Sequence, residues 1–511
     1  MSNLSRRNFL ELLGQGAAVA SLSGSGLTRR LLAQAANDEW EYYYPNKYDA
    51  SDQKIIDAVQ AKLKLINNYG KVNLDDVING KLTNKNCPVV SWNPYENNFK
   101  VPFDQMLSMG KSFVSFDPLF SDREYGKKTQ YGDAIAFPLM LTLELMPAMP
   151  KQEGIGDYMV VSGHNDTLNY YRPIHAGDTL FTIYKEQHSV DITPALGSHY
   201  RTFAVSGVGQ VYNQRGELVA EGANILKESF RRHKDPAKRN PDKSQAWESP
   251  DWWHNRPAHQ YTDQDWDKIL SMWKKETYRG EEPLYWDEVK VGDQPSPIAV
   301  GPMLAEEETD MVFAIPDWCT DVKKTLVSSE GSSKLVKNKQ GIWVPPEHAE
   351  KKPRSKPFTG AGVDASVTKT PELANRDWRG VLQNAVCSRY AAAMLYAWMG
   401  NQGWLQRIGW DIMYNLPGYS PSMIPYITKP MMPALFDRYP YMEKVPLMKD
   451  KRVSTHAMEG DMIVSKAYVT GKYEKNNEYF VDLIWWVETI DEVLIEEGFA
   501  VVKLPKNEKK G

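Results

Sequence analysis

The chain has 511 residues, 42% hydrophobic and 25% charged, with 61 Lys+Arg set against 65 Asp+Glu for a formal net charge of −4. That balance excludes a disordered or collagen-like chain and argues against a nucleic-acid binder, which needs a clustered basic excess. Three cysteines exclude a disulfide scaffold, and no uncharged apolar run long enough to cross a membrane occurs outside the N-terminus.

Residues 5–10 read Ser-Arg-Arg-Asn-Phe-Leu, and a weakly apolar stretch follows from Leu12 to Leu27. Ala33-Gln34-Ala35 is a small-x-small site, so cleavage is expected before Ala36. A charged start, a short apolar region and such a site define a secretory signal, and Arg6-Arg7 resembles the twin-arginine (Tat) type. Residues 1–35 are therefore expected to export the chain to the periplasm. The alternative is an amphipathic N-terminal helix. The Tat route carries folded proteins, often because they hold a cofactor or bring a partner subunit. With no cofactor motif found below, a partner subunit or fast folding becomes the more interesting reason.

The mature chain opens with an extension, residues 36–99. Its aromatic lead-in, residues 39–48, precedes a helix from Ser51 as N-cap to about Asn68, with Ile55, Ile56, Val59, Leu63 and Ile66 on one face. Residues 134–146 are nearly all apolar and read as a buried helix, with Pro138 near its start. Strands with turns then follow at 158–161, 167–172, 178–189, 199–211 and 218–226. Residues 100–230 thus form one domain. Residues 231–283 read as a linker, in which Thr262-Asp-Gln-Asp265 opens a short helix.

Residues 284–505 repeat this grammar: a buried helix from Val381 to Met399, then strands at 461–473, 479–488 and 493–504. Gly177-Asp178 corresponds to Gly460-Asp461, and Glu217-Leu-Val-Ala-Glu to Glu492-Val-Leu-Ile-Glu. A duplicated α+β domain is the economical reading. Insertions fall at about 325–360 and 416–449, the second dense in Pro, Met and Tyr and suited to a lid or a subunit interface.

Known chemical motifs are absent. There is no Cys-x-x-Cys, no His-Glu-x-x-His, no Gly-x-Ser-x-Gly and no Gly-x-Gly-x-x-Gly, and Gly110-Lys111-Ser112 fails as a phosphate loop because Gln105 stands where Gly is required. No metal and no cofactor is expected. Cys87, Cys319 and Cys387 read as core thiols.

Asp117-Pro-Leu-Phe-Ser-Asp122 through Tyr131-Gly132-Asp-Ala-Ile-Ala-Phe137-Pro138 resembles the entry to the central helix of MaoC-like hydratases and dehydratases. Arg172-Pro-Ile-His-Ala-Gly177-Asp178 looks like that family's turn into its first long strand, and Trp398-Met-Gly-Asn-Gln-Gly403-Trp-Leu is similar to the end of its second central helix. The resemblance covers roughly 100–226 and 285–504. It implies two hotdog domains, each a long helix wrapped by an antiparallel sheet, and water addition to or removal from an enoyl or hydroxyacyl thioester.

The resemblance also implies where the chemistry sits. Gly132, Ala136 and Phe137 occupy the place where backbone N–H groups hold the substrate oxygen. The catalytic Asp position, however, holds Ser115, the Asn position holds Asp117, and the catalytic His position holds Phe120. Asp117, Asp122 and His164 are the candidates to replace the missing groups, although Asp122 alternatively caps a turn and His164 alternatively sits in one. Arg376 is a candidate for binding an acidic group, or forms an exposed salt-bridged turn. Two functions follow: an exported lyase acting on a small acyl or aryl-acyl substrate, or a non-catalytic hotdog protein that binds an apolar ligand or serves an exported complex. A homodimer is expected in either case, with no nucleic-acid partner.

Overall fold

The computed structural model describes residues 39–90, 99–100, most of 106–139, 155–239, 246–247, 259–303, 318–328, 334–346, 384–412, 452–453 and 460–507, with a few isolated positions between them. The expected signal segment, Arg376 and the Pro/Met-rich insertion lie outside these residues, as does most of the expected first buried helix.

Eight long strands dominate the described residues: β1 (Tyr158–Tyr170), β2 (Thr179–Asp191), β3 (Arg201–Asn213), β4 (Leu218–Arg231), β5 (Trp404–Ile412), β6 (Ile463–Lys475), β7 (Glu478–Thr489) and β8 (Val493–Leu504). Their order across one sheet is β2-β3-β4-β1-β5-β8-β7-β6, and every neighbouring pair is antiparallel. From the centre outward, each half presents its first, fourth, third and second strand. The duplication inferred from the sequence is therefore a duplication of topology. The halves join edge to edge where β1 pairs β5, with Leu168 opposite Ile408, so that neither first strand is left as an open edge.

The matched turns agree in detail. Gly177 and Gly460 take φ of +88° and +85°, a left-handed conformation open to glycine at no steric cost. Asp178 and Asp461, which follow them, are both buried.

The second half carries its central helix, α3 (Asn384–Met399). From Cys387 to Met399 nearly every side chain is buried, as expected of a helix that is apolar all round and packs within a core. It lies against β5, β6, β7 and β8. The fold class is α+β with a double-hotdog sheet. Within the second half, a Cβ on Gly498 would lie 2.2 Å from the Gly409 carbonyl oxygen and 2.4 Å from the Trp485 ring, so the close approach of β8 to β5 depends on a bare backbone.

Helix α1 (Ala50–Asn67) begins earlier than expected. Asp49, not Ser51, caps it, accepting from the N–H groups of Ser51 and Asp52 at 2.9 and 2.8 Å. Its buried face is Ile56, Val59, Leu63 and Ile66, joined by Asp52. That buried acid is met by two arginines of the first half: Arg232 Nη2 at 2.8 Å and Arg201 Nη2 at 3.9 Å. Arg201 also stacks over the Tyr43 and Tyr48 rings. The extension is thus tied to β3 and to the end of β4 by ions as well as by apolar contact.

Between the halves, α2 (Asp263–Lys275) starts on the expected capping box, in which Thr262 and Asp265 bond each other's backbone N–H. Cys87 and Cys387 are buried free thiols, and burial holds the Cys387 thiol well above its ordinary range.

Candidate active site

Asp117 stands at the start of a single 3-10 turn, Pro118–Phe120. Its extended backbone and the proline after it favour that start. The next turn is the short helix Arg123–Gly126, capped by Asp122. Gly126 allows this helix to press on the chain that follows: a Cβ there would lie 2.1 Å from the Ala134 nitrogen. Arg123 then clasps Asp133 through Nε and Nη2 at 3.0 and 2.5 Å. Ile135 N–H donates to the Leu119 carbonyl at 3.1 Å, and Ala136 N–H to the Ile174 carbonyl at 2.8 Å. The Asp117 segment is therefore stitched both to residues 133–136 and to the turn that leads into β2.

Residues 134–137 were expected to be helical, and they are not. Ile135 is instead bridged to His175, and the helical turn begins only at Pro138. A proline suits a first helical position because its missing N–H would have no helical partner there.

The opposite wall comes from the second half. It is the C-terminal end of α3 and the residues after it: Tyr396, Gly400, Asn401 and the start of β5. Asn401 N–H donates to the Gly280 carbonyl at 2.9 Å, and its side-chain amide donates to the Tyr125 hydroxyl.

Asp117 lies between these walls and is 1% exposed. Oδ1 accepts the Leu119 N–H at 3.0 Å, while Oδ2 is buried with no hydrogen-bond partner among the described residues. Burial pushes this carboxyl up to about 6, against which the single Leu119 hydrogen bond works weakly. The charge of Asp117 reaches three tyrosines. Tyr125 and Tyr131 are raised to about 12, chiefly by burial, and Tyr396 well above its ordinary range for the same reason. A carboxyl that changes charge near neutrality, beside hydroxyls that stay protonated, can take and return a proton.

The other expected site residues fare differently. Asp122 is exposed and accepts from the Glu124 and Tyr125 N–H groups at 2.8 and 3.2 Å, which is capping. His164 lies in β1, its backbone opposite Leu226, and its side chain is outside the described residues. Gly132 and Ala136 are corrected as oxygen-binding donors. Gly132 N–H is donated to the Thr129 carbonyl at 3.2 Å, and Ala136 N–H is committed to Ile174. Gly132 serves its turn by taking φ of +72°. Among the described residues, no group accepts from the Phe137 N–H, the third expected donor. Phe120 is fully buried, with its ring edge-on to Phe137 and Tyr396 at 5.8 and 4.9 Å between centroids. The place of the expected histidine is therefore filled core.

Tyr125, Tyr131, Tyr396 and Asn401 were not anticipated from the sequence. Tyr125 and Tyr131 stand inside the motif that locates Asp117, and that proximity was the available signal. Tyr396 and Asn401 come from the other half of the chain and carried none. Among the described residues there is no group of three or more metal-binding side chains, and no helix is long and apolar enough to cross a membrane.

No protein-family model and no curated protein matches the chain. Among solved structures it is similar to a MaoC-like dehydratase at 12% identity, covering 80% of this chain and 96% of that one, with a TM-score of 0.40. A protein from Chloroflexus aurantiacus described as a MaoC domain dehydratase is likewise 12% identical, with 82% and 95% covered and a TM-score of 0.40. A Mycobacterium tuberculosis protein described as having a double hotdog fold is 10% identical, with 81% and 95% covered and a TM-score of 0.38. These likenesses carry no argument about chemistry, which rests on the Asp117 site.

Proposed function

We propose that the chain is a hydro-lyase that adds water to, or removes it from, an enoyl or hydroxyacyl compound, with Asp117 as its acid/base. The observation that carries this reading is the unpartnered Asp117 Oδ2, buried among tyrosines. An isolated polar atom in such a place is costly unless a ligand meets it. In the hydration direction, ionised Asp117 takes a proton as water oxygen bonds to the β-carbon. The double-bond electrons move toward the carbonyl, and the same carboxyl returns the proton to the α-carbon. The Phe137 N–H holds the carbonyl oxygen as its charge grows. Tyr125, fixed by Asn401, keeps the water or hydroxyl oriented.

The test is hydration of short, long and aromatic enoyl thioesters by the chain from Ala36 onward, followed by loss of conjugated absorbance, with Asp117→Asn alongside. Turnover that disappears in the variant supports the assignment. Folded protein that leaves the whole panel unchanged refutes it and favours ligand binding or service in a complex.

Export through the Tat route to the periplasm belongs to the same proposal and rests on Arg6-Arg7 and the Ala33–Ala35 site. An exported enzyme needs a substrate found outside the cytoplasm, so the acyl group is carried by something other than a cytoplasmic coenzyme or is free. A homodimer and an exported partner subunit remain part of this reading. Cell fractionation of the chain beside an Arg6→Lys/Arg7→Lys variant tests export, and light scattering of the secreted form tests the dimer.

A further inference from the structure

The packing around Asp117 limits what can be processed there. Phe120, Phe137 and Tyr396 are each 1% exposed or less, and their rings meet at centroid distances of 4.9 to 6.1 Å. Phe113 and Tyr390 extend the stack, with Phe113 6.0 Å from Phe137 and 5.2 Å from Tyr390. These rings form a continuous aromatic block between the Asp117 segment and α3. Side chains so packed leave no room for an alkyl chain unless a ring gives way. Among the described residues beside Asp117, Phe116, Pro118, Tyr125 and Tyr131 are partly exposed, so a ligand arrives from their side. On the α3 side of the Asp117 segment, the described residues it meets are these rings.

From this block we infer that the substrate is short: the carbons that react at Asp117 bear a small substituent and no long acyl tail. The chemistry of this inference rests on the hydro-lyase reading, and its size limit rests on the aromatic block. The substrate class is then short-chain enoyl or hydroxyacyl compounds, in which the carbon skeleton ends where Phe120 begins.

The experiment compares kcat/KM for crotonyl and decenoyl thioesters of N-acetylcysteamine, in the wild-type chain and in Phe120→Ala and Phe120→Leu. Wild type is expected to favour the crotonyl compound by roughly tenfold or more, the scale at which pocket size discriminates. Phe120→Ala, or the milder Phe120→Leu where the first does not fold, is expected to narrow that preference. A wild-type preference for the decenoyl compound, or no difference between the two, overturns the size limit. A second arm is independent of turnover: thermal shift with benzene and with decanol. An emptied apolar site takes up such molecules, as engineered cavities do. Stabilisation of the Phe120 variant and none of wild type is expected, and stabilisation of wild type by decanol overturns the size limit. Absence of turnover on both thioesters refutes the hydro-lyase reading, while this second arm still decides the size limit.

Discussion

Replacing Asp117 by Asn is expected to make the protein more stable while abolishing its activity. The folded carboxyl is held at about 6 against an ordinary 3.8. At about 1.4 kcal/mol for each pKa unit, holding the ionised group in place costs about 3 kcal/mol at pH 8. The sign follows from proton counts. Between about pH 4 and 6 the folded state binds more protons at this site than the unfolded chain does. Stability therefore falls as pH rises through that window, and above it the whole penalty is present. Asn keeps the oxygen that caps Leu119 and cannot ionise, so the variant escapes the penalty. It should be more stable than wild type at pH 8 by up to about 3 kcal/mol, and the difference should shrink toward zero near pH 4. Urea unfolding of both proteins at a series of pH values from about 4 to 8 measures it. A variant less stable than wild type at pH 8, or a difference that does not change with pH, would refute the reasoning. Active sites commonly carry such a stability cost.

Other expectations follow from the same contacts. Arg232→Met leaves Asp52 buried with one distant arginine at 3.9 Å, so it should destabilise the first half by about 3–5 kcal/mol and release residues 39–67 to limited proteolysis. Gly498→Ala forces a Cβ against the Gly409 carbonyl between β8 and β5 and should cost about 2–3 kcal/mol in calorimetric unfolding, and Gly498→Ser should be no better tolerated. Thr262→Ala removes the cap of α2 and should cost about 1 kcal/mol in urea unfolding, leaving hydration kinetics unchanged. Asn401→Leu removes one of the two side-chain partners of the Tyr125 hydroxyl, leaving Glu281, and should lower kcat more than it raises KM, whereas an unchanged kcat would show that Tyr125 needs no such support.

Much of the fold is legible in the sequence because its signals are local. Leu218–Arg231 and Val493–Leu504 directly follow matching residues, Glu217 and Glu492, and the two strands entered through Gly-Asp turns need the left-handed backbone that glycine supplies. The β5 strand was hidden. Trp404-Leu-Gln-Arg-Ile-Gly-Trp lacks clean alternation because the register shifts between Leu405 and Arg407, and its start resembled a helix end. Residues 134–137 read as helix because an apolar run is ambiguous when buried. Their pairing with Leu119 and Ile174 is a tertiary choice that local composition does not encode. The same distinction governs the site. Asp117 was visible as a carboxylate in a recognised segment. Its burial, its orphaned oxygen and its tyrosine neighbours depend on α3, far along the chain, as shown by Tyr396 and Asn401.

The pH profile of kcat/KM for crotonyl thioester hydration, measured from about pH 4.5 to 9 in wild type and in Asp117→Asn, addresses the role of Asp117 most directly. The wild-type rate should climb through an apparent pKa near 6 as the carboxyl ionises, with no rate above background in the variant. A flat profile, or hydration that survives in Asp117→Asn, would contradict that role.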